Sequence, residues 1–242
     1  MSDAEPRNPS TRRGFISGAI IICALAAAAI LLAFTSVHGG GDQSSTVAAS
    51  TPAATATSTA DPAEASVCGL PGFVKSGTLT AAPKTEWDIV GIMAAPHSTT
   101  AGPGVTDADG VRSCYAHTPT GALFAVANSW AMGSDARLAP LAIAANTAPG
   151  PGRDAAMAAA STRSNGGLSA QIAGYKVLSY SGTEATIDTA FTLTNGTLMS
   201  FASTMKWVEG DWKAELTDDG QPPFRPIVLQ SLGGYTAWSG LS

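Results

Sequence analysis

The chain has 242 residues, of which 45% are hydrophobic and only 13% charged, against roughly a quarter charged in an average soluble domain. Its 13 Lys+Arg and 18 Asp+Glu leave a formal net charge of -5, so it has no cationic field of the kind that holds a phosphate backbone, and direct nucleic-acid binding is not expected. Three cysteines are too few for a disulfide-dense miniprotein or for the repeated Cys/His pairs of zinc modules.

The charge deficit begins at Phe15 to Phe34, a strongly hydrophobic run of 20 residues without a charge. As a helix rising 1.5 Å per residue, such a run crosses a hydrocarbon core of about 30 Å. Arg7, Arg12 and Arg13 precede it, and no Lys or Arg follows until Lys75. The positive-inside bias then places residues 1–14 in the cytoplasm and everything after the span outside the cell membrane. Two readings compete. Length and the lack of a small-x-small site behind the run favour a retained anchor, while Thr11-Arg12-Arg13-Gly14-Phe15-Ile16 resembles a twin-arginine export signal.

Residues 35–66 collapse to Ser, Thr, Ala, Gly and Pro. Such a segment buries too little apolar area to offset the entropy of ordering it, and reads as a disordered tether. Residues 67–242 are long enough for one extracytoplasmic domain.

Cys23 lies within the apolar run as a small filler, which leaves Cys68 and Cys114 in the exported part. An even pair in an oxidising compartment is most economically a disulfide; two separate buried thiols is the plainer alternative. A nucleophilic Cys114 assisted by His117 is disfavoured, because no local spacing supplies a positioned base. Between the two cysteines Pro and Gly punctuate an irregular lead-in, with Trp87 to Ile92 as its one good strand.

Thr118-Pro119 suits a helix start, since Pro lacks only an amide hydrogen that would be unpaired there. Leu123, Val126, Ala127 and Trp130 then recur at helical spacing as one buried stripe. A second helix is expected over about Ser134 to Ala145, kinked or started late by Pro140, and a third, alanine-rich one from Arg153 to Thr162. Small side chains on these helices suit close packing on a sheet.

After Asn165-Gly166-Gly167 the period changes to two. Ala185, Ile187, Thr189 and Phe191 alternate with Glu184, Thr186, Asp188 and Ala190, giving a strand with one face in a core and one in water. Ser181-Gly182, Asn195-Gly196 and Glu209-Gly210-Asp211 provide hairpin turns. The fold class expected is α+β: short helices packed on a curved four-stranded antiparallel meander from Leu168 to Leu216. The tail beyond Pro222 carries Phe224, Ile227, Val228, Tyr235 and Trp238 among prolines and glycines, and packing back across the sheet is preferred to an exposed apolar strip.

Helices followed by a meander ending in Trp207-Val208-Glu209-Gly210-Asp211-Trp212 resemble the nuclear-transport-factor-like (cystatin-type) cone. The resemblance implies that Trp207 and Trp212 close the cone over the helices, with Trp130 in its core. The whole layout, from short tail through membrane helix and linker to Cys68-Gly69-Leu70-Pro71 and Cys114-Tyr115-Ala116-His117, is similar to membrane-anchored proteins of actinobacterial integrative and conjugative elements. Conjugation and type IV secretion machines carry such cones as assembly modules. What this implies is a non-catalytic single-pass envelope protein whose partners are the membrane, sister copies and other channel proteins.

The alternative is a secreted or anchored cone that binds a small ligand or acts as an enzyme, with Asp188, Tyr175 or His117 as a base. No P-loop, nucleophile elbow or dinucleotide fingerprint is present, and no cofactor is implied. Asp107-Ala108-Asp109-Gly110 reads as a turn, because Val105 and Ala116 stand where a calcium loop needs acids.

Overall fold

The computed structural model describes residues 64–160 and 169–240. They form an α+β unit of three helices and mostly antiparallel sheets, with no closed barrel. The segments expected to form a cytoplasmic tail (1–14), a transmembrane helix (15–34) and most of a linker (35–63) lie outside the described residues. Among the described residues no helix is long and apolar enough to cross a membrane. The last three residues assigned to the linker, Glu64 to Ser66, belong to the described unit, and Ser66 is buried.

The lead-in is more regular than its Pro and Gly content suggests. Strand β1 (Glu86–Val90) pairs antiparallel with β2 (Met93–His97), the turn passing through Gly91 at φ 59°. The short β3 (Val105–Thr106) pairs with β4 (Arg112–Ser113). Between them an Asp107 carboxylate oxygen accepts from the amides of Asp109 and Val111, so this acidic stretch is a self-capped turn.

Helix α1 (Pro119–Gly133) begins where expected, Thr118 accepting at its hydroxyl from the Gly121 amide at 3.1 Å. Its burial is not a stripe. Every residue from Gly121 to Asn128 is buried, because β2 covers one side of the helix and the large sheet another. Gly121 is required here, since a Cβ would run into the Ala116 carbonyl. Helix α2 (Leu138–Asn146) starts late, which puts Pro140 in its first turn, where a missing N–H costs nothing. Helix α3 (Pro151–Ala160) starts at its own proline.

The meander is present as β5 (Ala170–Tyr180), β6 (Glu184–Leu193), β7 (Leu198–Val208) and β8 (Asp211–Ala214). Each pairs antiparallel with the next. Glu209 and Gly210, at φ 57° and 75°, form the two-residue loop that right-twisted hairpin strands demand.

The sheet has six strands rather than four. Strand β9 (Ile227–Leu229) adds to β7, and β10 (Thr236–Ala237) adds to β5. The tail between them crosses the sheet from one edge to the other. Tyr235 donates its hydroxyl to Asp188 and lies under the Lys176 ammonium, 4.5 Å from the ring centre. This corrects the expectation for β6: its polar face is covered as well, and Thr186, Asp188 and Ala190 are all buried. Trp238 then enters the core against Trp87, Phe124 and Tyr175, its indole N–H donating to Thr85.

Candidate functional site

Cys68 and Cys114 are joined as a disulfide, with Cα atoms 6.1 Å apart. Around the bond a small polar network closes. Ser66 donates to the Tyr115 carbonyl at 3.0 Å, and the Asp211 carboxylate accepts from the amides of Cys114 at 2.7 Å, Tyr115 at 2.8 Å and Trp212 at 2.8 Å. Burial lifts the Asp211 carboxyl above its ordinary range, and the three amides and Lys213 pull the other way. Asp211 organises a non-glycine residue at positive φ, Cys114 at 64°, by holding its amide. The sequence marks Asp211 only as a turn residue, because two of the three amides that donate to it, those of Cys114 and Tyr115, lie almost a hundred positions away.

Trp207 and Trp212 face each other across the β7–β8 hairpin, ring centres 5.3 Å apart. Trp212 is fully buried and donates to the Ala116 carbonyl at 3.0 Å. Trp207 stacks on the ring of His117. His117 is buried, with one ring nitrogen 2.8 Å from the Glu64 carbonyl and the other against the Gly182 carbonyl. Such a ring clamps three segments together and has no nitrogen left for a substrate. Trp130 packs on Phe191 and Phe201.

A cleft of about 930 Å³ opens between the three helices and the helix-facing side of β7 and β8. Its walls are lined by Ala139, Ala142, Ala156, Ala160 and Ala214, with Trp130 also contributing. The alanines expected to pack closely on the sheet instead leave space, since none reaches across. Several polar groups of the lining are already engaged: Ser129 donates to the Ala125 carbonyl, Ser134 to that of Ala131, and Asn146 to that of Arg112. Glu215 is ion-paired with Lys206, and Asp135 accepts from the Arg137 amide. Among the described residues the lining has no Lys, Arg, His or Cys.

The residues weighed as bases do not meet there. Asp188 is bonded to Tyr235 on the other face of the sheet. Tyr175 donates to the Ala81 carbonyl at 2.8 Å, and burial raises its phenol above the ordinary value. His117 sits in the aromatic clamp. His97 bridges Glu86 and Asp88 at the β1–β2 hairpin, with Arg112 also on Asp88 at 2.7 Å. Among the described residues no group of His, Cys, Asp and Glu is arranged to hold a metal.

Residues 47–237 match the family described as "Domain of unknown function (DUF8175)". The chain belongs to that family. No curated protein and no solved structure matches it. The DUF8175 match takes in the disulfide, the His117 clamp and the whole lining of the cleft, and ends one residue before Trp238.

Proposed function

We propose that this chain is a non-catalytic, single-pass envelope protein, anchored through residues 15–34, whose extracytoplasmic unit is an assembly subunit of a conjugative transfer apparatus. The observation that carries the non-catalytic part is the cleft: its lining is mainly apolar, holds no Lys, Arg, His or Cys among the described residues, and Ser129, Ser134 and Asn146 in it already donate to backbone carbonyls. A reaction needs a nucleophile, an acid or base, or an oriented charge at the reacting atom. A docking site needs apolar area and an open mouth. The order of helices then meander, with the Trp207–Trp212 hairpin, supports likeness to the cystatin-type cone.

Fractionation of the full chain in its native host, followed by cross-linking in membranes and mass readout, tests this reading. Retention at full length with discrete protein partners is expected. A shorter, soluble, uncross-linked product contradicts it.

One observation favours a second reading, carriage of a small apolar molecule. The cleft volume lies within the roughly 300–1,000 Å³ of ligand pockets. A monomer whose melting temperature rises with such a compound supports that reading over the first.

A further inference from the structure

Backbone polarity along β7 decides which way β9 presents its own backbone. The Trp207 amide donates to Thr183 on the β6 side, and the Thr204 carbonyl accepts from Glu215 on the opposite side. Alternation makes the even-numbered residues of β7 the ones that address β8 and β9. Leu198 and Ser200 thus exchange bonds with Leu229 and Ile227, while Val228, opposite Met199, turns its N–H and C=O away from the sheet. No described strand pairs with that outer side.

The same edge is apolar and uncovered. Ile227 and Val228 are each 61% exposed and Phe224 is 44% exposed. Sheet edges are ordinarily guarded by charges, bulges or covering loops. None stands between Ile227 and Leu229.

We propose that β9 pairs antiparallel with β9 of a second copy across a twofold axis at Val228, joining two sheets into one. The sequence around Val228 is self-complementary in that register. The two Val228 residues exchange both bonds, and Gln230 donates to the Pro226 carbonyl of the second copy. Pro226, lacking an N–H, disfavours the register centred on itself. Ile227 meets Leu229 of the second copy on one face, and Arg225 meets the neutral Ser231, which keeps the two cations apart. An isologous contact of this kind closes on itself and uses the β9 edge of both copies. The pairing rests on the edge geometry and stands or falls apart from the conjugation reading.

The test uses the full chain carrying Cys23→Ala, purified in detergent, with single cysteines introduced. Paired β-strands bring Val228→Cys within disulfide reach of its copy, whereas Phe224→Cys lies about 27 Å from its own. About tenfold more covalent dimer is expected at 228 than at 224, since only the first meets the Cα separation a disulfide needs. Val228→Pro removes an outward N–H without touching the β7 ladder, and is expected to give a monomer by light scattering with the melting temperature kept. Should Val228→Pro unfold, Val228→Lys reads the same outcome. Equal cross-linking at both positions, a persistent dimer in the folded variant, or capture of a different protein at 228 in native membranes overturns the proposal.

Discussion

The ring of His117 lies flat on the indole of Trp207, ring centres 3.6 Å apart and planes within 9° of parallel. Phe73 meets the same imidazole edge-on at 4.8 Å, and both ring nitrogens face backbone carbonyls, of Glu64 and Gly182. The chain just before α1 is thereby fastened to the start of the described unit and to the β5–β6 turn. The chain at Glu64 is held at the same end of the sheet as the β7–β8 hairpin, where the Val67 amide bonds to the Gly210 carbonyl at 2.8 Å.

His117→Ala leaves those carbonyls without their partner and removes the stack on Trp207. The buried Gly182 carbonyl left without its partner costs about 1–3 kcal/mol, and with the half-exposed Glu64 contact and the stack also lost a drop of roughly 2–5 kcal/mol is expected in denaturant unfolding. Limited proteolysis should cut early within residues 64–73, which stay attached through the Cys68–Cys114 disulfide until it is reduced. Unchanged stability and protection would show that the clamp is incidental.

The disulfide acts on the unfolded chain. It links residues 46 apart in sequence, and closing a loop of that size stabilises by up to about 4 kcal/mol. Cys68→Ser should therefore lower the unfolding midpoint, and reductant should shift the native chain by a similar amount. Mass measurement after alkylation without reductant should find neither Cys68 nor Cys114 modified; modification of both would contradict the bond.

Asp211 makes a prediction with an unusual sign. Its carboxyl titrates higher in the folded chain than in the unfolded one because burial disfavours the charge. Over the interval between the two values the folded protein holds a proton that the unfolded chain has lost, so this group's contribution falls as pH rises through it. The melting temperature of the native chain minus that of Asp211→Asn should thus be greatest at the acid end of the interval and smaller at neutral pH. A difference that grows from acid to neutral pH would contradict the assignment.

Much of the sheet was legible because its signals are local. Asn195-Gly196 and Glu209-Gly210 mark turns by chemistry alone, and Ala185, Ile187, Thr189 and Phe191 mark one face of β6 by period. Period two says that a second face exists and nothing about what covers it. Tyr235 reaches Asp188 from 47 positions away, and Trp238 reaches Thr85 from 153, through a segment of Pro and Gly with no period to read. The cleft is not legible in the sequence for a related reason. Alanines at Ala139, Ala142 and Ala156 suit both close packing and an open space, and only the distance to the sheet decides between them. His117 and Asp211 were visible as residues, but their roles come from carbonyls and amides, which leave no mark in a sequence.

Filling the cleft separates its role from the fold's. Ala142 is a buried residue on the cleft wall; where the ring of Ala142→Phe enters the cleft, the melting temperature should stay within a few degrees of the native value, an effect of about 1 kcal/mol or less. Binding of whatever occupies the cleft should be lost. A large drop in stability would mean that the space closes on itself in solution.

The most direct measurement places a photo-cross-linking side chain at Ala142, in the cleft, and at Glu184, on the far side of the sheet, in the full chain within native membranes. The account predicts discrete protein adducts from the cleft position, none of them from Glu184, and loss of the adducts when Trp130→Ala reshapes the wall. Adducts of small mass only, or the same proteins captured from both positions, would contradict an assembly module that docks its partner in the cleft.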